Sequence, residues 1–335
     1  VIAADYCSPF HDWHEAAAVR SMAPGTWLVG PPGAWMADDE GSVLAHPALD
    51  GERRNRVAAG LLVAHLGFTV ALENELISPV ARDIAARRLG ATYDDRVVAD
   101  ALRVQCDEAY HAVLAQELMA QVTAMTGAGR LRYAHGFLLH VDRLVSTVPR
   151  VNPALLRFSA AVVAETLITK TLRDDWLDDG LQHDVRVFLH HHYVDEARHS
   201  AYFAQLLRLA WPQWPAGIRE AIRPLWSGLI DAFLAPDAFV VRGALKDAGL
   251  RADEIARVMS ETARPEDAAR RRHRSARHTL HALRSAGALE EHGSIRAVVL
   301  GKHERGRYAR APMLRVRSRR CAHRVHRRRS HPRQR

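Results

Sequence analysis

Two Glu-x-x-His motifs, Glu108-Ala-Tyr-His111 and Glu196-Ala-Arg-His199, lie on separate long segments whose apolar residues recur with helical period. A glutamate and a histidine three residues apart project from one face of a helix. Two further long segments each carry a single glutamate among apolar neighbours, Glu73 beside Val70 and Leu76, and Glu165 beside Val162, Leu167 and Ile168. Four helices are thus required to turn an acid inward at the same place. Burying four carboxylates without compensating charge is very costly, so any fold with this pattern must supply cations at its centre.

The rest of the chain agrees with a helical class. The pattern predicts helices over about 52–88, 94–125, 152–176 and 183–209, then shorter ones over 216–235, 237–248, 252–260 and 264–286. Asn152-Pro153 is a good N-cap and first-turn pair, and Gly127-Ala128-Gly129 and Trp211-Pro212 are stops. Nothing alternates with period two for long enough to make a sheet, although Leu28-Val29 or Val298–Leu300 has the composition for a brief pairing. Four helices of this length with short satellites imply an all-α protein with a ferritin-like four-helix bundle core and additional peripheral helices. The expected divisions are an irregular N-terminal wrap over 1–50, the bundle over 51–300 and an Arg-rich, disordered tail over 301–335.

Two single-glutamate helices facing two Glu-x-x-His helices form the ligand set of a dinuclear carboxylate centre. Two adjacent dications need about four negative charges, and carboxylates can bridge and change their mode of binding as a metal changes oxidation state. This mixed nitrogen and oxygen set suits iron, or less well manganese, over thiolate-preferring metals. His192 lies four residues before Glu196, so His192, Glu196 and His199 share one face, whereas His190 and His191 should turn away. The candidate metal residues are Glu73, Glu108, His111, Glu165, His192, Glu196 and His199. Glu75 competes with Glu73 but faces differently, and Glu73 sits on the Leu66–Thr69–Leu76–Val80 stripe. Asp107 and Asp195 each precede a motif glutamate. They read equally as partners of ligand imidazoles or as solvated carboxylates.

On Glu73, Glu108-x-x-His111, Glu165 and His192-x-x-x-Glu196-Ala-Arg-His199 the chain resembles the p-aminobenzoate N-oxygenase family of non-haem di-iron enzymes. The resemblance runs from about Trp13 to Ala297, and Tyr-Val-Asp-Glu-Ala-Arg-His (193–199) is its most specific part. It implies a di-iron monooxygenase that activates O2 to oxidise an aromatic amine to the hydroxylamine or nitro compound in specialised metabolism. It also implies a substrate-pocket role for Thr169 and a basic residue on a late helix for a substrate carboxylate, with Arg271, Arg274 and Arg277 as candidates. The partners expected are O2, an aromatic amine, an external electron donor and a second copy in a homodimer. Iron oxidation or storage, or a radical-generating subunit, is the alternative, but the first would not need His192. The second needs a tyrosine beside the metals, and Tyr110 and Tyr193 adjoin ligands only in sequence.

The net charge of +9 over 335 residues first suggests a polyanion binder. Its distribution removes that reading. Arg305–Arg335 holds 13 arginines and no lysine or acid, which leaves a body of net charge −4. No nucleic-acid or membrane partner is therefore expected. Cys7, Cys106 and Cys321 are odd in number and far apart, giving neither a disulfide framework nor a zinc site. A cytoplasmic setting follows as the expectation.

Overall fold

The computed structural model describes residues 6–22, 33–37, 42–129, 135–262, 272 and 274–289. The Arg-rich tail and both candidate strand pairs lie outside these residues. Two short helices, α1 (Trp13–Ala16) and α2 (Ala18–Ser21), are followed by a 3-10 turn at Val43–Ala45. The four long helical stretches come next. They are α3 (Gly51–Leu72) running through a wide π turn (Glu73–Ile77) into α4 (Ser78–Ala85), then α5 (Asp95–Thr126), α7 (Pro153–Trp176) and α8 (His183–Ala210). Between α5 and α7 lies α6 (Gly136–Thr147). The satellites are α9 (Ala216–Ile222), α10 (Leu225–Leu234), α11 (Ala238–Asp247), α12 (Ala252–Thr262) and α13 (Arg277–Ser285). Among the described residues the one β feature is an isolated parallel bridge between Ala34 and Leu181.

Local chemistry explains the boundaries. Asp50, Asp94, Asn152 and Gln182 each place a side-chain oxygen on backbone N–H groups in the first turn of α3, α5, α7 and α8. These acceptors satisfy donors that a helix N-terminus leaves open. Helix α5 ends where Gly127 enters the left-handed region at φ 68°, its N–H reaching Thr123 O at 2.9 Å.

The long helices pack mainly as two pairs, α3 with α5 and α7 with α8, joined by contacts between α5 and α8. Helix α7 is the central one. Every residue from 158 to 168 is buried, as expected of a helix enclosed on all sides. Helices α6, α10 and α13 cover it away from the bundle interior. Trp211, Trp214 and Trp226 are buried in contact with one another, so these tryptophans serve packing. The stretch 51–85 is apolar and long enough to cross a membrane by composition, but its buried residues form the face toward α5 and the core.

Three details depart from the sequence reading. Helix α6 has no counterpart among the helices expected from the sequence: its inward residues Phe137, Leu138 and Val141 are few, and its packing is against α7 and α10. The expected helix over 216–235 is two, broken at Arg223-Pro224, because proline has no backbone N–H to donate and its ring clashes with the carbonyl one turn before. The first helix ends at Ala85 rather than near 88, with Arg87 in the left-handed region at φ 58°.

Replacing Gly127 by alanine should lower stability by about 1 kcal/mol, since its φ is positive although a Cβ would meet nothing within 4 Å. Gly51→Ala, in the first turn of α3 with equally open space, should raise stability by up to about 1 kcal/mol. Opposite shifts in the urea midpoint at constant slope are expected.

Candidate metal centre

Glu73 opens the π turn that interrupts the first helical stretch, and the wider winding decides which acid faces inward. Glu73 is 2% exposed, whereas Glu75 is exposed. Such π turns recur at functional sites. Here it lets one helix keep its apolar stripe on both sides of a buried carboxylate. Glu108 and His111 come from α5, Glu165 from α7, and His192, Glu196 and His199 from α8. All are buried.

The seven side chains form two groups in which the candidate ligand atoms lie within 4.8 Å of one another. One holds Glu73, His111, His192 and Glu196, and the other Glu108, Glu165, Glu196 and His199. Glu196 belongs to both. In the first group His192 Nε2 stands 3.4 Å from Glu73 Oε1 and 3.1 Å from Glu196 Oε1, and His111 Nδ1 is 3.7 Å from each carboxylate. In the second, His199 Nδ1 lies 3.0 Å from Glu108 Oε1, 3.6 Å from Glu196 Oε1 and 3.8 Å from Glu165 Oε2. Atoms bound about 2.1 Å from one small dication at right angles lie about 3 Å apart, close to these separations. His111 Nδ1, His199 Nδ1, both Glu108 oxygens and Glu165 Oε2 are buried without a hydrogen-bond partner. Such orphaned polar atoms around a shared point fit a cation that would displace their protons.

The two motif imidazoles are fixed from behind in a crossed pattern. Asp195 on α8 accepts from His111 Nε2 of α5 at 2.9 Å, and Asp107 on α5 meets His199 Nε2 of α8 at 3.2 Å. Each helix thus orients the other's ligand and leaves Nδ1 facing inward. Asp107 and Asp195 are fully buried, which removes the solvated alternative. Arg198, also buried, pairs with Asp195 and lies 3.3 Å from Asp12. Neither Arg198 nor Asp12 stands out in the sequence, where the one signal is the repeated Asp-Glu-x-x-His at 107–111 and 195–199.

The electrostatics match this geometry. Burial, aided by Glu73, pushes the Glu108 carboxyl up to about 7. Burial and the charges of Glu196 and Glu108 push Glu165 well above the usual carboxylate range. Burial also works against Glu73, but Glu108, His111 and His192 outweigh it and hold it down at about 2. His111 and His199 are driven well above the ordinary imidazole value by the acids around them, against the effect of burial. Protons therefore do part of the work of cations here.

A family model described as p-aminobenzoate N-oxygenase AurF matches residues 42–287, more than half of the chain. The chain belongs to the p-aminobenzoate N-oxygenase family. No curated protein matches it. The family is one of N-oxygenase enzymes, and the buried glutamate and histidine groups are compatible with the metal chemistry of such an enzyme.

The remaining candidates of this N-oxygenase fare differently. Thr169 is half-buried, and its hydroxyl lies 3.0 Å from Glu165 O and 3.3 Å from Glu196 O, tying α7 to α8. Arg274 and Arg277 are exposed, and Arg271 lies outside the described residues. Arg272, not singled out from the sequence, is half-buried with Nε unpartnered and acts on Asp231. Tyr110 donates to Met22 O at 2.6 Å and Tyr193 lies against Trp176, so neither joins the seven. His190 is exposed beside the Trp176 ring and His191 is half-buried.

Glu165→Gln should stabilise the protein prepared without metal, by on the order of 1–2 kcal/mol. Glu165 holds its proton more tightly folded than unfolded, so the wild type loses stability as pH rises above the unfolded carboxylate value. The advantage of the variant should be small at pH 5 and widen toward pH 8 in thermal melts.

Proposed function

We propose that Glu73, Glu108, His111, Glu165, His192, Glu196 and His199 hold two iron ions, with Glu196 shared between them, and that the enzyme oxidises the nitrogen of an aromatic amine. The observation that carries this reading is the pair of buried ligand groups meeting at Glu196. Bound iron would supply dioxygen activation, with electrons from an external donor. The protein's contribution is positional. Four acids balance the metal charge, His192 adds a neutral donor to one group, and the crossed aspartates hold the two other imidazoles in one tautomer.

A cavity of about 770 Å³ supports an aromatic substrate. Its walls include Leu61, His65 and Phe68 of α3, Phe137 of α6 and Phe233 of α10. Ligand sites of this size are lined mainly by apolar and aromatic groups with a few polar ones. Burial, aided by the nearby His192, holds His65 down at about 4. It is therefore neutral at pH 7, with Nε2 buried and unpartnered. His65 lies two turns before Glu73, on the helix that joins this cavity to the metal residues.

Purified protein reconstituted anaerobically with iron(II) should retain two irons per chain. With oxygen and a reductant it should convert p-aminobenzoate to its hydroxylamino or nitro product. His192→Ala should weaken iron retention at least tenfold and abolish product. Fewer than one iron per chain, together with a His192→Ala variant indistinguishable from wild type, refutes the reading. Metal uptake must also release protons, because Glu108 titrates near 7. Iron affinity should fall as pH drops from 7.5 to 6, read by chelator competition.

A further inference from the structure

The N-terminal segment 6–22 lies outside the stretch that the family model matches, yet it touches the back of the metal centre at several points. Trp13 Nε1 is 2.9 Å from each oxygen of Asp107, the carboxylate behind His199. The backbone N–H of Ala18 donates to Asp195 Oδ2 at 3.0 Å, the same oxygen that meets His111 Nε2. Phe10 packs its ring 6.0 Å from that of His199. The segment is anchored independently of these contacts. Tyr6 donates to Asp100 at 2.5 Å, and Gln205 pairs with both backbone groups of Cys7, at 3.1 and 2.9 Å.

From these contacts we propose that Trp13 is a positioning residue of the metal centre, acting through Asp107 to hold the His199 imidazole in its ligating orientation. The inference rests on the metal-binding reading above. An N–H equidistant from two carboxylate oxygens fixes the plane of that carboxylate, and Asp107 has no solvent to replace the donor because it is fully buried. With its plane set, one oxygen faces His199 Nε2 and leaves Nδ1 toward Glu108, Glu165 and Glu196. Losing such a support typically weakens metal binding ten- to a hundredfold. The consequence is selective, because the other group of candidate ligands is supported through Asp195 by a backbone donor and Arg198.

The test measures iron(II) retention in the full chain against a colorimetric chelator, without turnover. Trp13→Phe keeps an aromatic ring at the position and removes the N–H donor, and the Tyr6→Phe control and the double variant separate that loss from the smaller ring. It should release one of the two irons ten- to a hundredfold faster and leave the other near the wild-type rate. Trp13→Phe and Asp107→Asn should be strongly non-additive when combined, as expected if one acts through the other. Tyr6→Phe removes a comparable anchor of the same segment away from the ligands and should leave both rates unchanged, controlling for general loosening. Unchanged release in Trp13→Phe, additive effects, or equal losses in Trp13→Phe and Tyr6→Phe overturn the proposal. A wild type that fails to retain two irons overturns the metal assignment instead, so the two failures are distinct.

Discussion

Mutual repulsion among four carboxyl groups in a dry interior is the constraint on which the rest of this structure depends. Glu73, Glu108, Glu165 and Glu196 are each buried to within about 2% of complete, and such a set is tolerated only where positive charge compensates it. Protons on Glu108 and Glu165 and on the motif imidazoles supply part of that compensation. The unpartnered oxygens and imidazole nitrogens that remain point to metal. A core that stabilised itself fully without cations would have no reason to keep these atoms free.

Holding the ligands still is a separate problem, and the fold solves it by making the bundle and the site mutually dependent. The α5–α8 contact includes the same groups that orient the imidazoles, since each helix sends an aspartate behind the other's histidine. Thr169 links α7 to α8 beside Glu165 and Glu196. A shift of one helix along another would therefore cost packing and ligand geometry together. Rigid elements of this kind position metal ligands more precisely than loops can.

Much of this was legible in residue spacing. Glu-x-x-His on a helical stripe determines that both side chains leave one face, and the i, i+4, i+7 relation of His192, Glu196 and His199 does the same. Both follow from 3.6 residues per turn and need no tertiary information. Helix α6 was illegible for the converse reason, because its short apolar stripe has meaning only against α7 and α10. Asp107 and Asp195 were ambiguous because a neighbour along a helix turns about 100° away, and only packing decides whether that direction meets water or an imidazole. The role of Trp13, more than ninety residues from Asp107, left no local trace.

The sequence by itself determined an all-α chain, the four helices that carry acids inward, and the family to which the chain belongs, because these depend on periodicity and short motifs. It also located the excess positive charge in the last thirty-one residues, beyond the stretch that the family model matches. Tertiary structure decided what lies behind each ligand: the π turn that buries Glu73 and exposes Glu75, the crossed aspartates, and the N-terminal segment that braces them. Those contacts join residues far apart in sequence, and their partners are selected by complementary shape and charge that exist only once the chain has folded.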